Sequence, residues 1–118
     1  MEILGIGTDI IEISRIKDNM EKYPSFLEKM FCGGEIKYIK SKANPYQTAA
    51  GYFCAKEAVS KSLGTGFCQI TLSDIYIYND EKGKPCVKME KYPDIGLMLT
   101  ISHCKEYATA TAIAFKRR

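Results

Sequence analysis

Asp9 and Glu57 stand where the periodicity of this chain asks for apolar side chains. Residues 2–11 read as a strand, with Ile3, Gly5, Gly7 and Asp9 on one face and Leu4, Ile6, Thr8 and Ile10 on the other. On a long predicted helix, Glu57 projects within roughly 40° of Ala50 and Phe53. Each carboxylate has a plain alternative. Asp9 could cap the helix that follows it. Glu57 could pair with Lys61 in the favourable Glu-then-Lys order, worth only ~0.3–0.5 kcal/mol when exposed. If the two meet, carboxylates ~4 Å apart repel by about 1–4 kcal/mol, and a hard divalent cation reverses that sign. Mg²⁺ takes oxygen ligands, commonly one or two carboxylates together with waters and substrate phosphates. The pair is therefore the kind of site that holds a metal–polyphosphate complex.

Two further features could take part in chemistry. Gly64-Thr65-Gly66 follows the long helix, with Lys56 and Lys61 upstream. It is a helix C-cap and turn, or a backbone nest for phosphate with Lys61 beside it. A P-loop is excluded, because the GxxxxGK[ST] order is absent. His103 is the only histidine and sits at a predicted strand end, as a turn residue or satisfied surface group or as a catalytic group. Ser102 is adjacent and points to the other strand face, and no GxSxG elbow exists, so a serine hydrolase has no nucleophile–base pair.

The elements that must position these residues follow from the pattern. After the first strand, Ile13, Ile16 and Met20 recur at helical spacing over Glu12–Lys22, and Pro24 ends that helix. Ser25–Lys42 predicts one or two short helices broken at Gly33-Gly34. Tyr46–Leu63 is the longest helix, closed by Gly64. Ile70–Tyr78, Val87–Met89, Leu97–Ser102 and Tyr107–Phe115 read as strands. The last carries a face of four alanines (Ala108, Ala110, Ala112, Ala114) against which the long helix can pack closely. The class is α+β, an antiparallel sheet packed against one long helix and shorter helices.

Composition narrows the function. A chain of 118 residues supports one core and no deep cleft between lobes, so a large ligand must lie on the surface or between subunits. A net charge of +3 is too mild to argue for nucleic-acid binding. Arg15 is the sole arginine outside the C-terminal pair Arg117 and Arg118. The five cysteines form no CxxC pair, which disfavours a zinc ribbon or a dithiol redox site and predicts reduced thiols. With no signal-peptide pattern and no run of ~20 apolar residues, the expectation is a soluble, cytoplasmic protein that does not engage a membrane.

These runs resemble the holo-[acyl-carrier-protein] synthases, the small bacterial type of 4′-phosphopantetheinyl transferase, over nearly the whole chain. The resemblance rests on Ile6-Gly7-Thr8-Asp9-Ile10-Ile11-Glu12 with Arg15-Ile16, on Phe31-Cys32-Gly33-Gly34-Glu35 with Tyr38, and on Phe53-Cys54-Ala55-Lys56-Glu57-Ala58 with Lys61-Ser62-Leu63-Gly64-Thr65-Gly66. Gly83-Lys84-Pro85 and Ile101-Ser102-His103 with Tyr107-Ala108 complete it. It implies a single phosphopantetheinyl transferase domain over residues 1–118. The implied reaction moves phosphopantetheine from coenzyme A to a serine of an apo acyl carrier protein, releasing adenosine 3′,5′-bisphosphate. Asp9 and Glu57 would hold Mg²⁺ at the pyrophosphate, with Lys61 as a third catalytic group. Lys61, Gly64, Gly66 and His103 would contact coenzyme A, and Arg15 the acidic helix of the carrier protein. The resemblance also implies a homotrimer with active sites between subunits. Many members carry Arg where this chain has Tyr52, and a phenol supplies neither charge nor a bidentate phosphate contact. That departure motivates an alternative, a non-catalytic oligomeric module binding coenzyme A or a carrier protein.

Overall fold

The computed structural model describes residues 1–64 and 70–117. Strand β1 (Glu2–Glu12) leads into α1 (Ile13–Lys22), the short α2 (Phe26–Met30), α3 (Gly33–Lys40) and the long α4 (Pro45–Leu63). The second half holds β2 (Tyr76–Asn79), β3 (Pro85–Lys88), β4 (Ile95–His103) and β5 (Tyr107–Lys116). β1, β5 and β4 form an antiparallel sheet with β5 in the middle, and β2 and β3 form a separate hairpin. The α+β class and the helix-on-sheet layering agree with the sequence expectation.

Register explains why the strands carry the residues they do. Gly5, Gly7 and Asp9 lie opposite Ala114, Ala112 and Ala110, and Leu97, Leu99 and Ile101 of β4 lie opposite Ala114, Ala112 and Ala110 from the other side. This face of small residues receives α4. A Cβ on Gly5 would collide with the Ser62 carbonyl, and one on Gly7 with the Ala58 carbonyl and the Ser62 amide. The glycines thus let helix backbone lie directly on strand backbone. At Gly51 the close neighbour is the Ile101 side chain, so α4 crosses the sheet from β4 toward β1 as it runs to its C-terminus. The helix starts with Asn44 capping the Gln47 amide and Pro45 in its first turn, and ends at Gly64 with φ 71°.

Two expected elements differ. The break between the short helices falls at Phe31–Cys32, and Gly33-Gly34 open α3. Cys32 is the N-cap of a capping box whose other half is Glu35, which accepts from the Cys32 amide at 2.9 Å. The predicted strand Ile70–Tyr78 begins only at Tyr76. Asp74 accepts from the Thr71 amide at 2.8 Å, and this second capping box folds Leu72–Asp74 into a 3₁₀ turn.

Candidate active site

Asp9 is not a helix cap. β1 continues three residues past it because its ladder with β5 runs to the Glu12–Tyr107 pair. The N-cap of α1 is Glu12, which makes no side-chain capping bond, and the Ile13 amide donates instead to the Glu106 carbonyl at 2.9 Å. The Asp9 carboxylate is therefore free to serve the groove between β1 and α4.

Lys61 meets it there. Its ammonium donates to the Thr8 carbonyl at 2.9 Å and to Asp9 Oδ1 at 3.2 Å, with the lysine side chain 54% exposed. Two of three N–H groups are engaged, which leaves one for an incoming anion. The Glu57–Lys61 pair, the plain alternative for Glu57, is not formed, and Lys61 pairs with Asp9 instead. No hydrogen bond or ion pair engages Glu57 among the described residues. Asp9, Glu57, Arg15, Phe53 and Phe26 line one hollow of about 370 Å³, so the two carboxylates do share a site.

Cys54 lies beneath this cluster, fully buried, with its thiol donating to the Ala108 carbonyl at 3.4 Å. Burial pushes the thiol up to about 12, and the negative charge and hydrogen-bonding oxygen of Asp9, then Glu57, push the same way against a smaller opposing effect of Lys61. A thiol so held stays protonated at neutral pH, which disfavours Cys54 as a nucleophile.

His103 belongs elsewhere. It ends β4 on the α4-facing side, opposite Ala108, whereas Asp9 is on the far edge strand. Two strand spacings, about 10 Å, separate those edges. His103 lines a second hollow of about 270 Å³ with Thr48, Gly51, Tyr52, Asn79 and Gly83. The two hollows share no lining residue, and the chain by itself does not bring His103 to Asp9, Glu57 and Lys61. Gly64 is placed as the helix terminus, its amide donating to the Lys61 carbonyl at 3.2 Å. Gly66 lies outside the described residues.

Sequence reasoning passed over a third cluster. Lys56, read as one of two lysines upstream of the glycine pair, is 1% exposed and pairs with the equally buried Glu35 at 2.9 Å. All three of its N–H groups are used, on Glu35, the Leu72 carbonyl (3.0 Å) and the Ile75 carbonyl (2.6 Å). Glu35 also accepts from the Ile77 amide at 2.8 Å. The C-x-x-E capping box at Cys32–Glu35 was the available signal that Glu35 faces inward.

Comparison with known proteins decides the family. The sequence profile described as "4′-phosphopantetheinyl transferase superfamily" matches residues 5–112. This chain belongs to that superfamily. Among curated phosphopantetheinyl transferases it is 45% identical to the holo-[acyl-carrier-protein] synthase of Clostridium novyi (strain NT), over 94% of this chain and 86% of that protein. It is 46% identical to the corresponding synthase of Protochlamydia amoebophila (strain UWE25), over 93% and 96%. Among solved structures, the transferase fold matches the Bacillus anthracis holo-(acyl-carrier-protein) synthase in complex with CoA (3′,5′-ADP). That match has a TM-score of 0.86, 35% identity, and coverage of 98% of this chain and 99% of that one. It also matches the Helicobacter pylori synthase in complex with coenzyme A, with a TM-score of 0.82, 33% identity, and 92% and 98% coverage.

Proposed function

We propose that the chain transfers 4′-phosphopantetheine from coenzyme A to a serine of an apo acyl carrier protein and releases adenosine 3′,5′-bisphosphate. The observation that carries this is the hollow where Asp9, Glu57 and Arg15 converge, with Lys61 on Asp9, in a member of the superfamily. The alternative of a non-catalytic binding module is not favoured, since this charged constellation is intact.

The donor set fits Mg²⁺. Two carboxylates share the hollow, Glu57 is unpaired among the described residues, and only one Asp9 oxygen is held by Lys61. Bound there, Mg²⁺ supplies charge neutralisation for the pyrophosphate and its leaving bisphosphate. Lys61 keeps one N–H for the same phosphates. Arg15, exposed on the rim at α1, offers a guanidinium to an acidic helix of the incoming carrier protein. The nucleophile is the carrier's serine, so the chain needs no activated serine or cysteine. Its share of catalysis is positioning and electrostatics, the main requirement of phosphoryl-type transfer.

A trimer with shared sites accounts for the separation of His103 from the carboxylates. The sheet face turned away from α4 pairs Ile6 with Ile113 and Met98 in one row and Ile10 with Thr109 and Ser102 in another. Ile6 is 69%, Ile10 66% and Met98 54% exposed, which is a cost that burial against other copies removes. Such packing lets the His103 hollow of one subunit face the Asp9–Glu57 hollow of the next, with the nucleotide end of coenzyme A in the former. No helix is long and apolar enough to cross a membrane among the described residues, and we place the single domain, residues 1–118, in the cytoplasm.

The test is direct. Incubation with apo carrier protein, coenzyme A and Mg²⁺ is expected to add one phosphopantetheine to the carrier by mass spectrometry. Asp9→Asn and Glu57→Gln are expected to lose transfer by roughly two orders of magnitude or more while melting near the parent. Absence of any mass gain with the parent protein overturns the assignment, and parent-like turnover in both variants removes the metal-ligand roles.

A further inference from the structure

Tyr52 is 3% exposed on α4 and lines the His103 hollow, not that of Asp9 and Glu57, and its hydroxyl is engaged. It donates to Asn79 Oδ1 at 2.5 Å, across from the helix to the last residue of β2. Asn79 Nδ2 in turn donates to the Gly83 carbonyl at 3.0 Å. Gly83 sits at φ 85° in the turn between β2 and β3, a left-handed conformation suited to glycine. The turn closes on itself: the Gly83 amide donates to the Asp80 carbonyl, the Lys82 and Lys84 amides to Asp80 Oδ1, and the Asp80 amide to the Lys84 carbonyl. Asn79 is the polar link between that self-contained turn and helix α4. The Tyr52 ring is itself held by Tyr38, stacked at 5.6 Å and 3°. Burial, followed by the neighbouring Tyr38 and Glu35, raises the phenol well above its ordinary range, so it remains a proton donor.

The turn lines the hollow that holds His103. Gly83, Pro85 and Asn79 share its lining with Thr48, Gly51 and His103, and none of the described lining residues is lysine or arginine. A ligand there is recognised by shape and by neutral hydrogen-bonding groups, whose strength falls steeply with misplacement, rather than by a long-range charge.

We propose that Tyr52 is a positioning residue for the nucleotide end of the substrate, setting the β2–β3 turn through Asn79 as a wall of the His103 hollow. This rests on the reading that coenzyme A's nucleotide occupies that hollow. The relay lies away from Asp9 and Glu57, so its loss acts on binding and spares the chemical step.

The test compares Tyr52→Phe, Asn79→Ala and the double variant. Each single change is expected to raise KM for coenzyme A roughly three- to tenfold, the equivalent of one hydrogen bond. It should leave kcat within about twofold and KM for the apo carrier protein unchanged. The double variant should be no worse than Asn79→Ala, because both changes cut one chain of bonds. Hydrogen exchange at the Lys82, Gly83 and Lys84 amides should quicken in Tyr52→Phe. Unchanged KM, additive losses, or unchanged exchange at the turn would each overturn the proposal. A parent protein that binds coenzyme A without transferring it would instead overturn the transferase reading, with calorimetric affinity and turn exchange still deciding the relay.

Discussion

Lys56 and Glu57 are neighbours in sequence and opposites in environment. Lys56 is locked in the core with all three donors spent, while Glu57 opens onto a hollow with no partner among the described residues. The first is therefore placed to act on stability, and the second is open to a ligand. Lys56→Met strands a buried Glu35 and is expected to cost about 3–5 kcal/mol of unfolding free energy by urea titration. Converting the partner as well, Glu35→Leu with Lys56→Met, should not recover it. The Cys32 and Ile77 amides and the Leu72 and Ile75 carbonyls all lose their partner, unlike the ends of an isolated pair. Full recovery in the double variant would show that the pair acts alone. Cys54 gives a pH signature at the same scale. Its unfolded thiol releases a proton near its ordinary value, whereas the folded one keeps it to about 12. Across that interval the folded state holds more protons, so stability falls as pH rises. Tyr52 adds a like fall at higher pH. Thermal melts from about pH 8 to 10.5 should show a shallower decline in Cys54→Ala than in the parent, and equal slopes would refute the assignment.

At the scale of elements, the site depends on α4 lying directly on β1. Gly7 makes that approach possible and adjoins Thr8 and Asp9, the two residues that Lys61 contacts. Glycine inside a strand is ordinarily a weakness, so alanine there should help if nothing were close. Here the added Cβ meets helix backbone, which has no rotamer to yield, and Gly7→Ala is expected to destabilise by about 1–3 kcal/mol. It should also lower turnover at saturating substrate, because separating α4 from β1 pulls Lys61 off Asp9. A more stable and fully active Gly7→Ala protein would contradict the packing. The glycine–alanine faces, the long helix and its Gly64 terminus were legible in the sequence, because each is a one-dimensional pattern with one structural solution. The placement of Glu57 on one hollow with Phe53 was legible as well, through its position on the helix face that carries Ala50 and Phe53. The misread elements, Gly33-Gly34 and Ile70–Tyr78, are places where a side chain three residues on caps the backbone and overrides propensity. The Tyr52–Asn79–Gly83 link spans α4 and the hairpin, and no periodicity within either element encodes it.

At the scale of the whole molecule, one chain carries two separate hollows toward opposite edges of a three-stranded sheet, and exposed apolar side chains on the sheet face turned away from α4. If neighbouring copies bring the two hollows together into one site, damage to different hollows should complement. In Glu57→Gln every site lacks the Glu57 carboxylate, and in His103→Ala every site lacks its imidazole. When the two proteins are unfolded together and refolded as mixed trimers, some sites draw Glu57 from a His103→Ala subunit and His103 from a Glu57→Gln subunit. Such a site is wild type in composition. Random mixing in equal amounts makes about a quarter of the sites intact, since each needs two independent one-in-two choices around a closed ring. Transfer activity should therefore rise in the mixture toward about a quarter of the parent's, above the mean of the two variants measured separately. Sites built within single chains would give only that mean, because no subunit then carries both groups. Sedimentation velocity on the same samples ties the result to assembly. Met98→Glu, which puts charge on the exposed apolar row, should abolish both the trimer and the complementation while leaving the helix-on-sheet core, on the opposite face, folded.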